Sequence, residues 1–184
     1  MQIHRRQFII GPKPIFVNER WTSLELAPSL YLSHCGTLPI FNARDLDNES
    51  WFILGLAVQT DPGRSDPVTE ISSAHTIQIK ELYPSWAGRW VLVGNNQLHM
   101  DASGMLGCFY RIAYENTKRA QGVWVSSSAA LLADEINNGC QKIGNTQLLR
   151  GRMNWYPPPV SGFKSIYRLL PSQVLLLSSH HHSI

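Results

Sequence analysis

The stretch WAGRWVLVGNNQLHMDASGMLGCFY, Trp86 to Tyr110, is two apolar runs joined by polar turns. Gly94-Asn95-Asn96 has the composition of a tight hairpin turn, because asparagine and glycine tolerate positive φ. Trp90–Val93 and Gln97–Met100 are therefore predicted to pair as antiparallel strands. Ser103-Gly104 turns the chain again, into a further run from Met105 to Tyr114. This commits the middle of the chain to an antiparallel meander.

The flanking sequence repeats the pattern. HRRQFII, His4 to Ile10, reads as a first strand ended by Gly11-Pro12-Lys13-Pro14. Short apolar runs follow at Ile15–Val17, Leu24–Leu26, Leu30–Leu32 and Leu38–Phe41, each β-forming or bounded by turn residues. WFILGLAVQ, Trp51 to Gln59, is almost continuously apolar, as expected of a strand covered on both faces. TDPGRSDP, Thr60 to Pro67, can only be a loop. ISSAHTIQIKEL supports helix and strand about equally: positions 71, 74, 77 and 82 suit a helix, while Ile77 and Ile79 alternate. GVWV, Gly122 to Val125, is the next strand, expected beside or near Trp90–Val93.

The period then changes. SSSAALLADEINNG puts Leu131, Leu132 and Ile136 on one helical face, with Ser127 or Ser128 as N-cap and Asn138-Gly139 as stop. A second short helix is expected from Thr146 to Met153, capped by Asn145 and ended by Pro157-Pro158-Pro159. A strand, a turn at Pro171-Ser172 and a strand at Val174–Leu177 close the domain. Strands dominate, so the fold class is α+β. One domain is expected over 1–177, with a flexible tail at 178–184.

Composition removes several function classes. The 184 residues carry a net charge of +3, with Lys and Arg scattered rather than striped; a nucleic-acid face needs a basic patch with interleaved aromatics. Cys35, Cys108 and Cys140 lack metal spacing and do not make a disulfide framework. His180-His181-His182 is a terminal run that does not preorganise a tetrahedral site. No cofactor or metal is expected. No run is long enough for a membrane span, and a cytoplasmic location is expected.

In order, GRWVLV…QLHMDASGMLGCFY, VWVSSSAALL and WYPPPVSGFKSIYRLLPSQVLLL resemble the second half of the class II glutamine amidotransferase domain. The nearest flavour is the domain fronting asparagine synthetases, β-lactam synthetases and lasso-peptide cyclases. The resemblance covers roughly residues 86 to 177. It rests on Gly88-Arg89-Trp90, on Asp101 and Gly104 leading to Phe109-Tyr110, on Ser126 to Leu132, and on Ser161, Phe163, Ile166 and Pro171. It implies an N-terminal-nucleophile (Ntn) hydrolase sandwich of two mostly antiparallel sheets with flanking helices. It also implies a partner domain or subunit carrying ATP-dependent synthetase chemistry.

The resemblance does not bring its catalysis. The family's nucleophile is a cysteine immediately after the initiator methionine, activated by its own α-amino group; here that position is Gln2. The family's Asn-Gly oxyanion stretch corresponds to ILGLAVQ, whose one side-chain amide is Gln59. Its glutamine-binding stretch has only an echo in Ser65-Asp66. No catalytic residue is carried over. Gly88, Arg89, Asp101, Gly104 and Tyr110 are expected to be structural: Asp101 accepting N–H bonds in the Ser103-Gly104 turn, Arg89 standing at a strand start.

Other nucleophiles offer little. His34 and Cys35 are adjacent on a strand and point to opposite faces. Cys108 reads as packing, and Ser126–Ser128 as a strand end plus helix cap. Three readings follow: a vestigial glutaminase-like domain, a stand-alone ligand- or peptide-binding module on that fold, or a hydrolase with a rearranged nucleophile.

Overall fold

The computed structural model describes residues 6–113, 122–137, 142 and 157–177. Two antiparallel sheets make the body of the protein. The first has six strands in the order β10-β8-β9-β1-β3-β2, where β1 is Phe8–Gly11, β2 Trp21–Ala27, β3 Leu30–Cys35, β8 Phe109–Ala113, β9 Gly122–Ser126 and β10 Tyr167–Arg168. The second has five, β11-β7-β6-β5-β4, where β4 is Ile40–Arg44, β5 Ser50–Gln59, β6 Trp86–Gly94, β7 Gln97–Met100 and β11 Leu175–Leu176.

Strand alternation builds the core. Phe8, Ile10, Leu32, Val123 and Val125 from the first sheet meet Phe52, Leu54, Val91, Val93 and Leu98 from the second in one buried cluster. Their neighbours along each strand point outward and are covered separately. On the second sheet Trp51, Ile53, Trp86, Trp90 and Leu92 pack under α1 (Pro67–Ser72) and α2 (Ile79–Leu82), which bring Ile71 and Ile79. On the first, Ile9, Trp21 and Trp124 pack with Leu131 and Leu132 of α3 (Ala129–Asn137).

The predicted hairpin is present. Gly94 pairs with Gln97 across Asn95-Asn96, whose φ values of 45° and 55° are those of a type I′ turn. The α3 helix is also present, with Ser128 as cap: its Oγ accepts the Leu131 N–H at 3.3 Å. ISSAHTIQIKEL is helical in pieces: it ends α1 at Ser72, breaks at Ser73–His75 and continues as a 3-10 turn, Thr76–Gln78, into α2. Asp66 caps α1 and Pro67 opens it, the signal that resolves the ambiguity.

Four expectations change. The meander is β4-β5-β6-β7 and stops at Met100; between Met100 and Phe109 the chain crosses to the other sheet. Trp90–Val93 and Val123–Val125 therefore lie in different sheets, Val91 and Val93 facing Val123 and Val125 across the core rather than standing in nearby strands. WFILGLAVQ is covered on both faces only over its first half: Trp51–Gly55 are buried, while Leu56 and Val58 are exposed, because β5 runs past the sandwich. Ile15–Val17 is not a strand. The helix expected at 146–153, Cys140, Gln2 and the 178–184 tail lie outside the described residues, as does the Ile136 side chain. Among the described residues no helix is long and apolar enough to cross a membrane.

Candidate functional site

Where β5 and β6 overrun the sandwich, a cleft of about 400 Å³ opens at its end. The lead-in to β1 supplies Arg6 and Gln7 to its wall, and the β3–β4 connection supplies Leu38 and Pro39. Gly55 and Leu56 come from β5, Gly88 and Arg89 from β6, Met105 and Leu106 from the loop after Asp101, and Ser127 from the end of β9.

Two glycines shape the overrun. Gly55 pairs with Trp90 and has φ 95°, and a Cβ there would lie 2.2 Å from the Arg89 carbonyl oxygen. Gly88 pairs with Ala57 at φ 116°, and its Cβ would lie 2.1 Å from the Leu56 carbonyl oxygen. Both positions tolerate only glycine, which lets the two strands approach and twist here.

Asp101 positions the loop that carries Met105 and Leu106. It is buried, and its Oδ1 accepts the Ser103 N–H at 2.9 Å and the Ser103 hydroxyl. Gly104 N–H in turn donates to the Asp101 carbonyl at 3.1 Å, and Gly104 adopts φ 58°. The bond from the Ser103 N–H is the turn contact expected of Asp101. Arg89 is not at a strand start: β6 begins at Trp86, and Arg89 sits opposite Leu56 with its side chain on the cleft. Tyr110 does not reach the cleft; it stacks on Tyr167 in the first sheet, ring centres 5.8 Å apart. The sequence reading missed Arg6, Leu56 and Met105. Gly55, a lone glycine inside an apolar run, was the available signal.

The nucleophile candidates of the sequence, Ser126, Ser127, Cys108 and Cys35, are engaged or buried. Ser126 Oγ donates to the Phe8 carbonyl at 2.9 Å, and Ser127 Oγ accepts the Phe8 N–H at 3.1 Å. Burial pushes the Cys108 thiol up to about 12, which keeps it protonated and inert. Burial also raises Cys35, but hydrogen bonds from the Thr37 side chain and from backbone N–H groups of Thr37 and Arg6 outweigh it, and its pKa lies below the ordinary value. Its neighbour His34 cannot act on it: Nδ1 faces the Cys35 carbonyl at 3.1 Å and Nε2 faces Thr22 Oγ1 at 3.1 Å.

The residues echoing the family's glutamine site are used elsewhere. Gln59 Nε2 donates to Glu70 at 2.9 Å, and its carbonyl accepts the Asp61 N–H at 3.0 Å. Asp66 accepts the Thr69 hydroxyl at 2.6 Å and the Val68 and Thr69 N–H groups, which hold its carboxyl below the usual range. Glu70 accepts Trp86 Nε1 at 2.7 Å and pairs with Arg64 Nε at 2.6 Å, tying α1 to the overrun strands. Among the described residues no group of three or more metal-ligating side chains exists.

Compared with known proteins, the sequence matches no family model and no curated protein.

Proposed function

We propose that this chain is a glutaminase-like domain of the Ntn type that has kept a two-sheet scaffold and lost hydrolysis. It would act within an amide-forming assembly whose ATP-dependent synthetase chemistry lies on another domain or subunit. The observation that carries the reading is the convergence at the cleft. Arg6 and Gln7, four and five residues after the position where the resemblance puts the nucleophile, line the same cavity as Gly55, which lies in the stretch that corresponds to the family's oxyanion residues.

The lining supports loss rather than replacement. Among the described residues it holds no cysteine, and the one hydroxyl there, Ser127, is committed to the backbone of β1. Nucleophilic attack on an unactivated amide needs both an activated nucleophile and donors aimed at the developing oxyanion.

The reading is tested by isolating the chain with its natural partners and measuring two activities. ATP–pyrophosphate exchange is expected in the assembly, and glutamine-dependent ammonia release is not. An assembly that hydrolyses glutamine at this domain, or one without ATP-dependent activity, contradicts the reading.

A further inference from the structure

The ionisable side chains lining the cleft are both cations, and they come from opposite sheets. Arg6 leads into β1 of the first sheet, and Arg89 stands in β6 of the second. Among the described residues no acidic side chain lines the cavity, and neither guanidinium has an ion pair or hydrogen-bond partner. A cleft walled by low-dielectric side chains and rimmed by one sign of charge concentrates counter-ions. The rest of the wall is largely apolar: Leu38, Pro39, Leu56, Met105 and Leu106. Two of these are unusually open for large apolar side chains, Leu56 at 55% and Met105 at 64% exposure. A ligand body that covers them removes apolar surface from water.

We propose that this cleft binds a small organic carboxylate with an apolar body. The carboxylate sits between the Arg6 and Arg89 guanidiniums, and the body lies on Leu56 and Met105. A carboxylate meets a guanidinium with two acceptor oxygens and a full opposite charge, whereas a neutral amide offers one carbonyl acceptor and no ion pairing, and a ligand ammonium would be repelled. A free α-amino acid is disfavoured, because among the described residues no carboxylate lines the cavity to take its ammonium group. An anion charged all round, such as inorganic phosphate, is disfavoured by the apolar wall, which would desolvate it without pairing. The volume of about 400 Å³ lies in the range of small-molecule sites. This inference rests on the cleft alone and stands whether or not the domain belongs to a synthetase.

The experiment titrates the whole chain with octanoate and, separately, with its neutral isostere octanamide, following backbone amide shifts by NMR. Octanoate should bind saturably and shift the Gly55, Leu56 and Gly88 amides, with affinity that falls as salt rises. Octanamide should bind at least tenfold more weakly. Arg89→Gln and Arg6→Gln should each weaken octanoate at least tenfold, and Leu56→Asn should weaken it too. The exposed-site variant Lys164→Gln should bind as the parent does. Melting curves confirm that each variant is folded. Equal binding of octanamide, unchanged affinity in both arginine variants, or no saturable binding of octanoate overturns the proposal. None of these results bears on glutamine hydrolysis, so the two readings fail separately.

Discussion

Trp90 and Asp101 hold each other by two hydrogen bonds. The Asp101 N–H donates to the Trp90 carbonyl at 3.1 Å, and the Asp101 carboxylate accepts the Trp90 N–H at 3.2 Å. The side chain thus continues the β6–β7 ladder one step past Met100, just where the chain leaves one sheet for the other. The same carboxylate starts the turn that brings Met105 and Leu106 to the cleft.

Asp101→Ala strands the buried Trp90 N–H and the Ser103 N–H together. Leaving buried donors unmade costs more than a typical hydrogen bond contributes, so a loss of about 2–3 kcal/mol is expected in urea unfolding. Asp101→Asn keeps an acceptor and should lose less. A fully stable Asp101→Ala would show that the turn does not depend on the carboxylate.

His99 gives the fold a pH dependence. It is buried beside Trp51 and Tyr83, between the Tyr83 hydroxyl on Nδ1 and Gln97 Oε1 on Nε2, and burial lowers its pKa from 6.5 to about 4. The unfolded chain therefore binds the proton first as pH falls. This contribution is fully present above about pH 6.5 and is lost between there and about pH 4, up to about 3 kcal/mol. Asp45 and Asp66, held below their ordinary 3.8, add their losses only at lower pH. His99→Gln should flatten the stability profile between pH 6.5 and 4.5; an unchanged slope would assign it to other groups.

Gly55→Ala should be among the most damaging small substitutions. The new methyl would meet the Arg89 carbonyl at 2.2 Å in a backbone of φ 95°. Either the β5–β6 pairing opens or the strain remains, at a cost of about 3 kcal/mol or more. Thermal melting checks this, and a shift within the range of ordinary surface substitutions would contradict it.

Arg111 poses the opposite case. Among the described residues its Nε and Nη1 are buried without a hydrogen-bond partner, opposite Trp124 on the outward face of the first sheet. An unpaired buried cation is costly, so Arg111→Met should leave stability unchanged or raise it. A marked loss in chemical denaturation would mean that the cation is paired in solution.

The parts of this fold written in local chemistry are legible in the sequence. Asn95-Asn96 specifies its turn because few residues accept positive φ, and Ser128 specifies its helix start because hydroxyls satisfy free N–H groups. The allocation of strands to sheets is not written locally. Val91 and Val123 carry the same alternation, and nothing in that alternation says that the chain changes sheets at Asp101. The cleft is harder still. Arg6 and Arg89 line one cleft only because β1 and β6 begin on the same side of the sandwich, and an arginine on an overrunning strand looks in sequence like any exposed arginine. Asp101 was found because its turn is local; its bond to Trp90 was not.

Glutamate release from glutamine by the purified chain, with and without Gln2→Cys, tests the central claim most directly. The resemblance places the nucleophile at position 2, and the stretch corresponding to the family's Asn-Gly donor is ILGLAVQ, whose one side-chain amide, Gln59, is bonded to Glu70. Loss of such a donor alone costs about 10²–10³ in rate. Neither protein is therefore expected to exceed background. Turnover by the unmodified chain would contradict the vestigial reading, and turnover only after Gln2→Cys would show that the rest of the site is intact.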